Sequence, residues 1–343
     1  MHAPPPFPSE LPVFTAAAVQ AAPVFLDAAA SAARAADLIA EAAGRGATLV
    51  VFPEVFVPGY PYWNWITDPV TGGAWFERLV KASVYLPGPE VEVVRRAAAR
   101  HRVHVVIGID ERSTVSLGTL WNTLVFIGPD GAILGRHRKL VPTWAEKLTW
   151  TGGDGEGLRV HETAIGPLGG LACGENTNAL ARFALLAQGE LVHAASYISL
   201  PVAPKDYDMA EAIRLRGQAH SFEGKVFTVV ATSTISEEII AAMETVRPDA
   251  RELLERRNSA WSGIIGPDGR AMEGITDEDG IVTAEIDLNR CIQPRQMHDV
   301  TGHYNRFDVL RLSLDRGSRA PLHAAAPTFE PLAPLKGDDH DQA

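Results

Sequence analysis

The stretch WNTLVFIGPDGAILGRHRK, residues 121–139, decides the fold class. An apolar run, a GPDG turn and a second run read as strand, turn, strand, a hairpin whose two strands must be antiparallel. The segment AWSGIIGPDGRAM, residues 260–272, repeats the pattern with the same turn. Elsewhere strand-like runs alternate with amphipathic segments, which alone would suggest a purely parallel doubly wound sheet. Two inserted hairpins instead favour an α/β layered fold with mixed sheets. The paired GPDG turns, 128–131 and 266–269, also hint at a pseudo-symmetric sandwich.

Outward from the first hairpin, VFTAAAVQAAP (13–23) reads as a strand. FLDAAASAARAADLIAEAAGRG (25–46) reads as a helix with Asp27 as N-cap and Gly44 near its end. ATLVVFPE (47–54) is nearly all apolar, the pattern of a strand buried on both faces. VEVVRRAAARHR (91–102) predicts a helix and VHVVIGIDER (103–112) a strand. RVHETAIGPLGGLACGEN (159–176) predicts two strands, followed by a helix at about 177–188. A strand at 191–198, a helix across 208–224 and strands at 226–233 and 280–288 complete the pattern. The expected organisation is a flexible arm over 1–12, one domain over 13–316 and an acidic tail over 317–343.

The chain has 343 residues, 46% hydrophobic and 21% charged, enough to bury a core without staples. A net charge of −11 argues against nucleic acid as a partner, because phosphate binding needs a basic surface. Two cysteines, Cys173 and Cys291, form no disulfide framework and suit a reducing cytoplasm. MHAPPPFPSELPVF lacks the basic and apolar regions of a signal peptide. No apolar run approaches the roughly 18–20 residues of a membrane span. The expectation is a cytoplasmic protein that binds neither membrane nor nucleic acid.

Cys173 sits where the apolar GGLAC meets the polar GENTN, and three readings compete for it: core residue, redox or metal thiol, nucleophile. A free cysteine titrates near pH ~8.5 and attacks as thiolate, so a nucleophile needs a base or a cation. His193, mid-strand in LVHAAS, reads better as a strand-face histidine than as that base. Glu54 ends the apolar strand LVVFPE, where loops of an open α/β sheet converge. Partial desolvation there would raise its pKa and fit it to pass protons; a solvated strand-end carboxylate is the equal alternative. Lys139 ends the hairpin and is followed by LVPTWAEK with Glu146. An ammonium there can stabilise an oxyanion, although alone it reads as a surface lysine in a basic loop with Arg136 and Arg138. Three strands nonetheless deliver a carboxylate, an ammonium and a thiol at corresponding ends.

In that order and context the chain resembles the nitrilase family. FPEVFVPGYP is similar to the family's glutamate segment, RHRKLVPTWAEKLTWTGGDG to its lysine segment and CGENTNALARFALLAQGELVHAAS to its nucleophile segment. GHYNRFDVLRLSLDR (302–316) resembles the carboxy-terminal core segment, so the likeness spans about 12–316. The resemblance implies a four-layer α-β-β-α sandwich with mixed sheets and a triad of Glu54, Lys139 and Cys173. It also implies a further glutamate at Glu146 and a homo-oligomer, a dimer or a higher spiral. Two departures stand out: Gly174 where many nitrilases have Trp, and Ala179 where many have Pro.

The implied reaction is hydrolysis of a small-molecule nitrile to a carboxylic acid and ammonia through a Cys173 thioimidate, with Lys139 and the Gly174 N–H stabilising charge. It needs neither metal nor organic cofactor. Tyr60 and Trp144 are expected in the pocket wall, ahead of Trp63 and Trp150, because each lies close in sequence to a triad member. An amidase or carbamoylase would carry the same triad, and a non-catalytic assembly protein could keep the fold. TGGDGEG (151–157) lacks GK[ST] and reads as a flexible loop, His101 and His104 lack a third ligand, and Cys291 reads as an inert structural thiol.

Overall fold

The computed structural model describes residues 7–204 and 206–317, so residues 1–6 of the expected arm and 318–343 of the expected tail lie outside the described residues. The eleven strands among them are β1 (Val13–Gln20), β2 (Leu49–Val51), β3 (His104–Arg112), β4 (Leu120–Ile127), β5 (Ile133–Arg138), β6 (Leu168–Ala172), β7 (Val192–Tyr197), β8 (Phe227–Thr232), β9 (Trp261–Ile265), β10 (Ala271–Thr276) and β11 (Gly280–Asp287). The helices are α1 (Ala28–Gly44), α2 (Trp63–Ile66), α3 (Pro69–Ala82), α4 (Pro89–His101), α5 (Ala179–Leu186), α6 (Met209–Gly224), α7 (Glu237–Glu244), α8 (Ala250–Leu254) and α9 (Ile292–Arg295).

Both hairpins form. In each GPDG turn the first glycine N–H donates across the turn, Gly128 to the Ala132 carbonyl at 2.8 Å and Gly266 to the Arg270 carbonyl at 2.9 Å. The strands order as β11-β1-β2-β3-β4-β5 in one sheet and β10-β9-β8-β7-β6 in the other. β1, β2 and β3 are parallel and lead into the antiparallel β4–β5 hairpin. β6, β7 and β8 are likewise parallel and lead into β9–β10. The second sheet thus repeats the plan of the first, as the paired turns hinted, while β11 returns to close the first sheet against β1.

Side-chain alternation assigns the layers. Leu49, Val51, Val106, Leu124 and Phe126 point inward from the first sheet and pack against Leu168, Val192, Ala194, Phe227 and Val229 of the second. Val50, Val105, Ile107 and Val125 point outward onto Ala35 and Ile39 of α1 and Val91 and Val94 of α4. On the opposite outer face, Ala195, Tyr197 and Val230 meet Met209, Ala210 and Ile213 of α6, and Leu171 meets Ala181 and Leu185 of α5. The result is the four-layer α-β-β-α sandwich with mixed sheets. β2 is all apolar because it serves two cores at once, each large side chain contributing about 1.5–3 kcal/mol by burial.

One expected element is absent. Of the two strands read in 159–176, only β6 forms; upstream of it His161 makes a single bridge to Leu168. Pro167 and the turn at Thr163–Gly166 interrupt the run before a second ladder can extend. Asp27 caps α1 as expected, its carboxylate accepting from the Ala30 N–H at 2.9 Å.

Candidate active site

β2 runs parallel to β3, and β5 is antiparallel to β4, which is antiparallel to β3. β2 and β5 therefore point the same way, and Glu54 and Lys139, each just past its strand, emerge at the same end of the sheet. The chain at 52–54 then crosses toward the second sheet. Ser196 Oγ donates to the Phe52 carbonyl at 2.8 Å, and the Glu54 N–H donates to the Tyr197 carbonyl at 3.2 Å. Cys173 follows β6 at the corresponding end of that second sheet.

The three groups meet. Lys139 Nζ lies 2.8 Å from Glu54 Oε1 and 2.7 Å from Glu146 Oε2, and all three residues are about 1% exposed. Glu54, Glu146 and Cys173 each bring a carboxylate oxygen or the Sγ within 4.8 Å of the others. Asn122 Nδ2, on β4, donates to Glu54 Oε1. Glu54 Oε2 has no partner among the described residues, so one carboxylate oxygen is held and the other is free. Glu146 is held as firmly: its Oε2 accepts from the Thr143 N–H at 2.7 Å, and its Oε1 from the Tyr60 hydroxyl at 3.0 Å. Trp65 Nε1 donates in turn to the Tyr60 oxygen at 2.9 Å.

Electrostatics divide the labour. Burial pushes Glu54 up to about 7; Lys139 beside it opposes that shift and Glu146 adds to it. Burial works against the Lys139 charge, but Glu146 and Glu54 outweigh it and hold the ammonium well above its ordinary range. Cys173 is pushed well above the usual thiol range by burial and then by Glu54, with Lys139 pulling the other way. The resting site is therefore a neutral thiol beside a carboxylate poised to titrate near neutrality, with a fixed ammonium between two carboxylates. Such a set can remove the thiol proton as the sulfur attacks and return it to a leaving group.

The remaining expected residues divide. Tyr60 is buried against Trp150, rings 5.6 Å apart, and anchors Glu146. Trp144 is 76% exposed and touches Trp65 edge-on at 5.6 Å, so it stands on the surface beside the lysine segment. Trp63 stacks on Trp75 as layer packing, and Trp150 donates from Nε1 to Asp110 at 2.6 Å. Gly174 is tightly placed: a Cβ there would come within 2.9 Å of Thr143 Oγ1. The glycine-rich 151–157 stretch, read as a flexible loop, lies against β5. The Gly153 N–H donates to the Lys139 carbonyl at 2.8 Å, and a Cβ on Gly153 would be 2.3 Å from the Arg138 carbonyl oxygen. Cys291 is buried and free, as read.

Sequence reasoning missed Asn122, Trp65 and Tyr197. An asparagine inside the apolar WNTLVFI was the available signal for Asn122, since a buried amide in a strand needs a partner. Tyr197 packs in the same apolar cluster as Cys173, with its hydroxyl unpartnered among the described residues.

This chain belongs to the carbon-nitrogen hydrolase family, whose family model matches residues 15–296. It is 35% identical over 323 residues to a nitrilase of Paraburkholderia phymatum, covering 94% of this chain and 92% of that protein. It is 36% identical over 321 residues to an aliphatic nitrilase of Rhodococcus rhodochrous, covering 92% and 86%. Its fold is similar to that of the C. elegans NitFhit protein, with a TM-score of 0.68 at 19% identity over 89% of this chain and 68% of that one.

Proposed function

We propose that the protein is a nitrilase that converts an organic nitrile and two waters into a carboxylic acid and ammonia, with Cys173 as nucleophile, Glu54 as proton shuttle and Lys139 as charge stabiliser. One observation carries the reading: the free Oε2 edge of a carboxylate titrating at about 7, in a residue whose oxygen lies within 4.8 Å of a buried neutral thiol. Nitrilase names among relatives aligned over most of their length support the substrate class.

Glu54 takes the thiol proton as the Cys173 sulfur bonds to the nitrile carbon, and returns it to the nitrile nitrogen to give a thioimidate. It then takes a proton from water as the oxygen adds, forming a tetrahedral adduct. Lys139 and the Gly174 N–H face the charge that develops. When the C–N bond breaks, the nitrogen takes up the Glu54 proton and the adduct's hydroxyl proton, which is released as the C=O forms, and leaves as ammonia, so that a thioester remains and Glu54 is again a carboxylate. A second water breaks the C–S bond, the acid departs and the thiol regains its proton. If the C–S bond breaks first, an amide is released instead. Glu146 holds Lys139 in place, and Tyr60 holds Glu146.

The same reading takes 13–316 as one domain and the working form as a cytoplasmic homo-oligomer. Two free cysteines support the compartment, and among the described residues no helix is long and apolar enough to cross a membrane. A panel of aliphatic, arylaliphatic and aromatic nitriles, with acid, amide and ammonia quantified together, tests the activity. Ammonia and acid released from nitriles, and lost in Cys173→Ala, are expected; turnover confined to amides would overturn it in favour of an amidase.

A further inference from the structure

A second buried polar cluster lies behind the nucleophile, on the α6 side of the second sheet. His193 of β7 is fully buried, with Nδ1 2.8 Å from Glu190 Oε1 and Nε2 2.8 Å from Asn176 Oδ1. His220 of α6 places Nε2 2.9 Å from the other Glu190 oxygen, and the two imidazoles lie 4.2 Å apart. Room for the carboxylate comes from Gly169, where a Cβ would be 2.1 Å from Glu190 Oε1. Asn176 in turn donates from Nδ2 to the Cys173 carbonyl at 3.0 Å and to the Leu171 carbonyl at 3.2 Å.

These contacts fix the hydrogens. Both bonds from Asn176 Nδ2 end on carbonyl oxygens, which only accept, so the amide cannot be flipped. Its Oδ1 must then accept, and the hydrogen comes from His193 Nε2. The other His193 nitrogen faces Glu190, whose carboxyl is held down at about 2: burial opposes ionisation, but His193 and His220 outweigh it. The Glu190 carboxylate thus holds both rings, His193 at Nδ1 and His220 at Nε2. His220, pushed down to about 4 by burial and by His193, stays neutral, donates from Nε2, and leaves Nδ1 unpartnered among the described residues.

The far end of this chain of bonds is the strained turn at the nucleophile. Cys173 adopts φ +47°, in the left-handed region that a residue with a Cβ enters only when held there. The Cys173 carbonyl and the Gly174 N–H belong to one planar trans peptide, so they point in opposite directions. Fixing the carbonyl on Asn176 therefore fixes the direction of the Gly174 N–H. As an early N–H of a helical turn, that group has no acceptor within the turn.

We propose that His193, held by Glu190, is a positioning residue that locks the Asn176 amide by donating from Nε2 and, through it, aims the Gly174 N–H at the nitrogen that gains charge as the nitrile is attacked. The kinetic part rests on the nitrilase reading above; the placing of a hydrogen on His193 Nε2 does not. The test compares wild type, Asn176→Ala, His193→Leu and His193→Gln on one nitrile substrate, alongside histidine side-chain nitrogen NMR of the wild type.

Loss of one preorganised donor lowers kcat about 10²–10³-fold, so Asn176→Ala should approach that range with KM changed less than about threefold. His193→Leu should fall in the same direction. His193→Gln, which can still donate to Asn176, should recover part of the rate. The wild-type His193 ring should carry a hydrogen on Nε2, the nitrogen that faces Asn176. A folded His193→Leu with wild-type kcat, or a His193 ring whose Nε2 carries no hydrogen, would overturn the proposal. If His193→Leu does not fold, Asn176→Ala decides the kinetic part, and the spectrum of the wild type decides by itself whether His193 Nε2 carries the hydrogen. A wild type inert toward every nitrile would count against the nitrilase reading and leave the spectrum to decide this one.

Discussion

Replacing Asn122 with leucine should move the acid limb of the activity profile toward higher pH. Asn122 is buried on β4, and its Nδ2 is one of two donors to Glu54 Oε1, the other being Lys139 at 2.8 Å. A hydrogen bond to a charged group contributes about 1.5–3 kcal/mol, and about 1.4 kcal/mol corresponds to one pKa unit. Without the donor the carboxylate loses stabilisation and the neutral acid does not, so the pKa rises from about 7 by about 1–2 units. The base works ionised, and the profile falls on its acid side. At pH 7 the ionised fraction drops from about half to about 1–10%, so kcat/KM should fall about 5- to 50-fold and recover near pH 9. The limb belongs to the coupled Glu54–Lys139–Glu146–Cys173 set, so it is read as the apparent pKa of the site. The assay is kcat/KM against pH for wild type and Asn122→Leu, with thermal unfolding to confirm the fold. A limb that stays in place, or shifts to lower pH, would refute this account of Glu54.

Other substitutions probe the supports around the site. Tyr60→Phe removes a buried donor from Glu146 Oε1 and should lower unfolding free energy by about 1–3 kcal/mol in denaturant titrations. Gly174→Ala should impair turnover because its Cβ meets Thr143 Oγ1 at 2.9 Å, and adding Thr143→Ala should restore part of the loss. Away from the site, Glu111 bridges Arg136 and Arg138, both at 2.5 Å, and Glu111→Ala should destabilise by about 1–3 kcal/mol because it leaves two partly exposed guanidiniums without their acceptor. Acid should weaken the fold through the histidine cluster. The unfolded chain takes up protons at His220 as pH falls from about 6.5 to 4, and at Glu190 from about 4.5 to 2, while the folded chain holds both groups unprotonated. Stability should therefore fall with pH across those windows, and in Glu190→Gln the part between about 4.5 and 2 should be lost while the His220 part remains.

The layered class was legible in 121–139 and 260–272 because a GPDG turn has only a few backbone solutions, and two of them break a parallel sheet. The convergence of Glu54, Lys139 and Cys173 was legible because Glu54 and Cys173 each end a run of apolar residues and Lys139 ends the second strand of a hairpin. The partners were not. Asn122 acts through a contact 68 positions away at Glu54, and Tyr60, although expected in the pocket wall, through one 86 positions away at Glu146. Trp144 was placed by its nearness in sequence to Lys139, yet the turn at 144–148 directs it outward, because nearness along the chain does not fix side-chain direction. His193 was read correctly as a strand-face residue, but its ties to Glu190 and Asn176 depend on how β6 and β7 pair. The extra strand expected in 159–176 shows the limit of apolar runs as a signal where a proline and a tight turn interrupt them.

The central claim is that the Cys173 sulfur bonds to the nitrile carbon. Rapid-quench intact-mass analysis during turnover, followed by peptide mapping, tests it most directly. The account predicts an adduct on Cys173 with the mass of the added nitrile or of its acyl group, absent in Cys173→Ala, which should also release no ammonia. Steady turnover by Cys173→Ala, or an adduct confined to another residue, would contradict it.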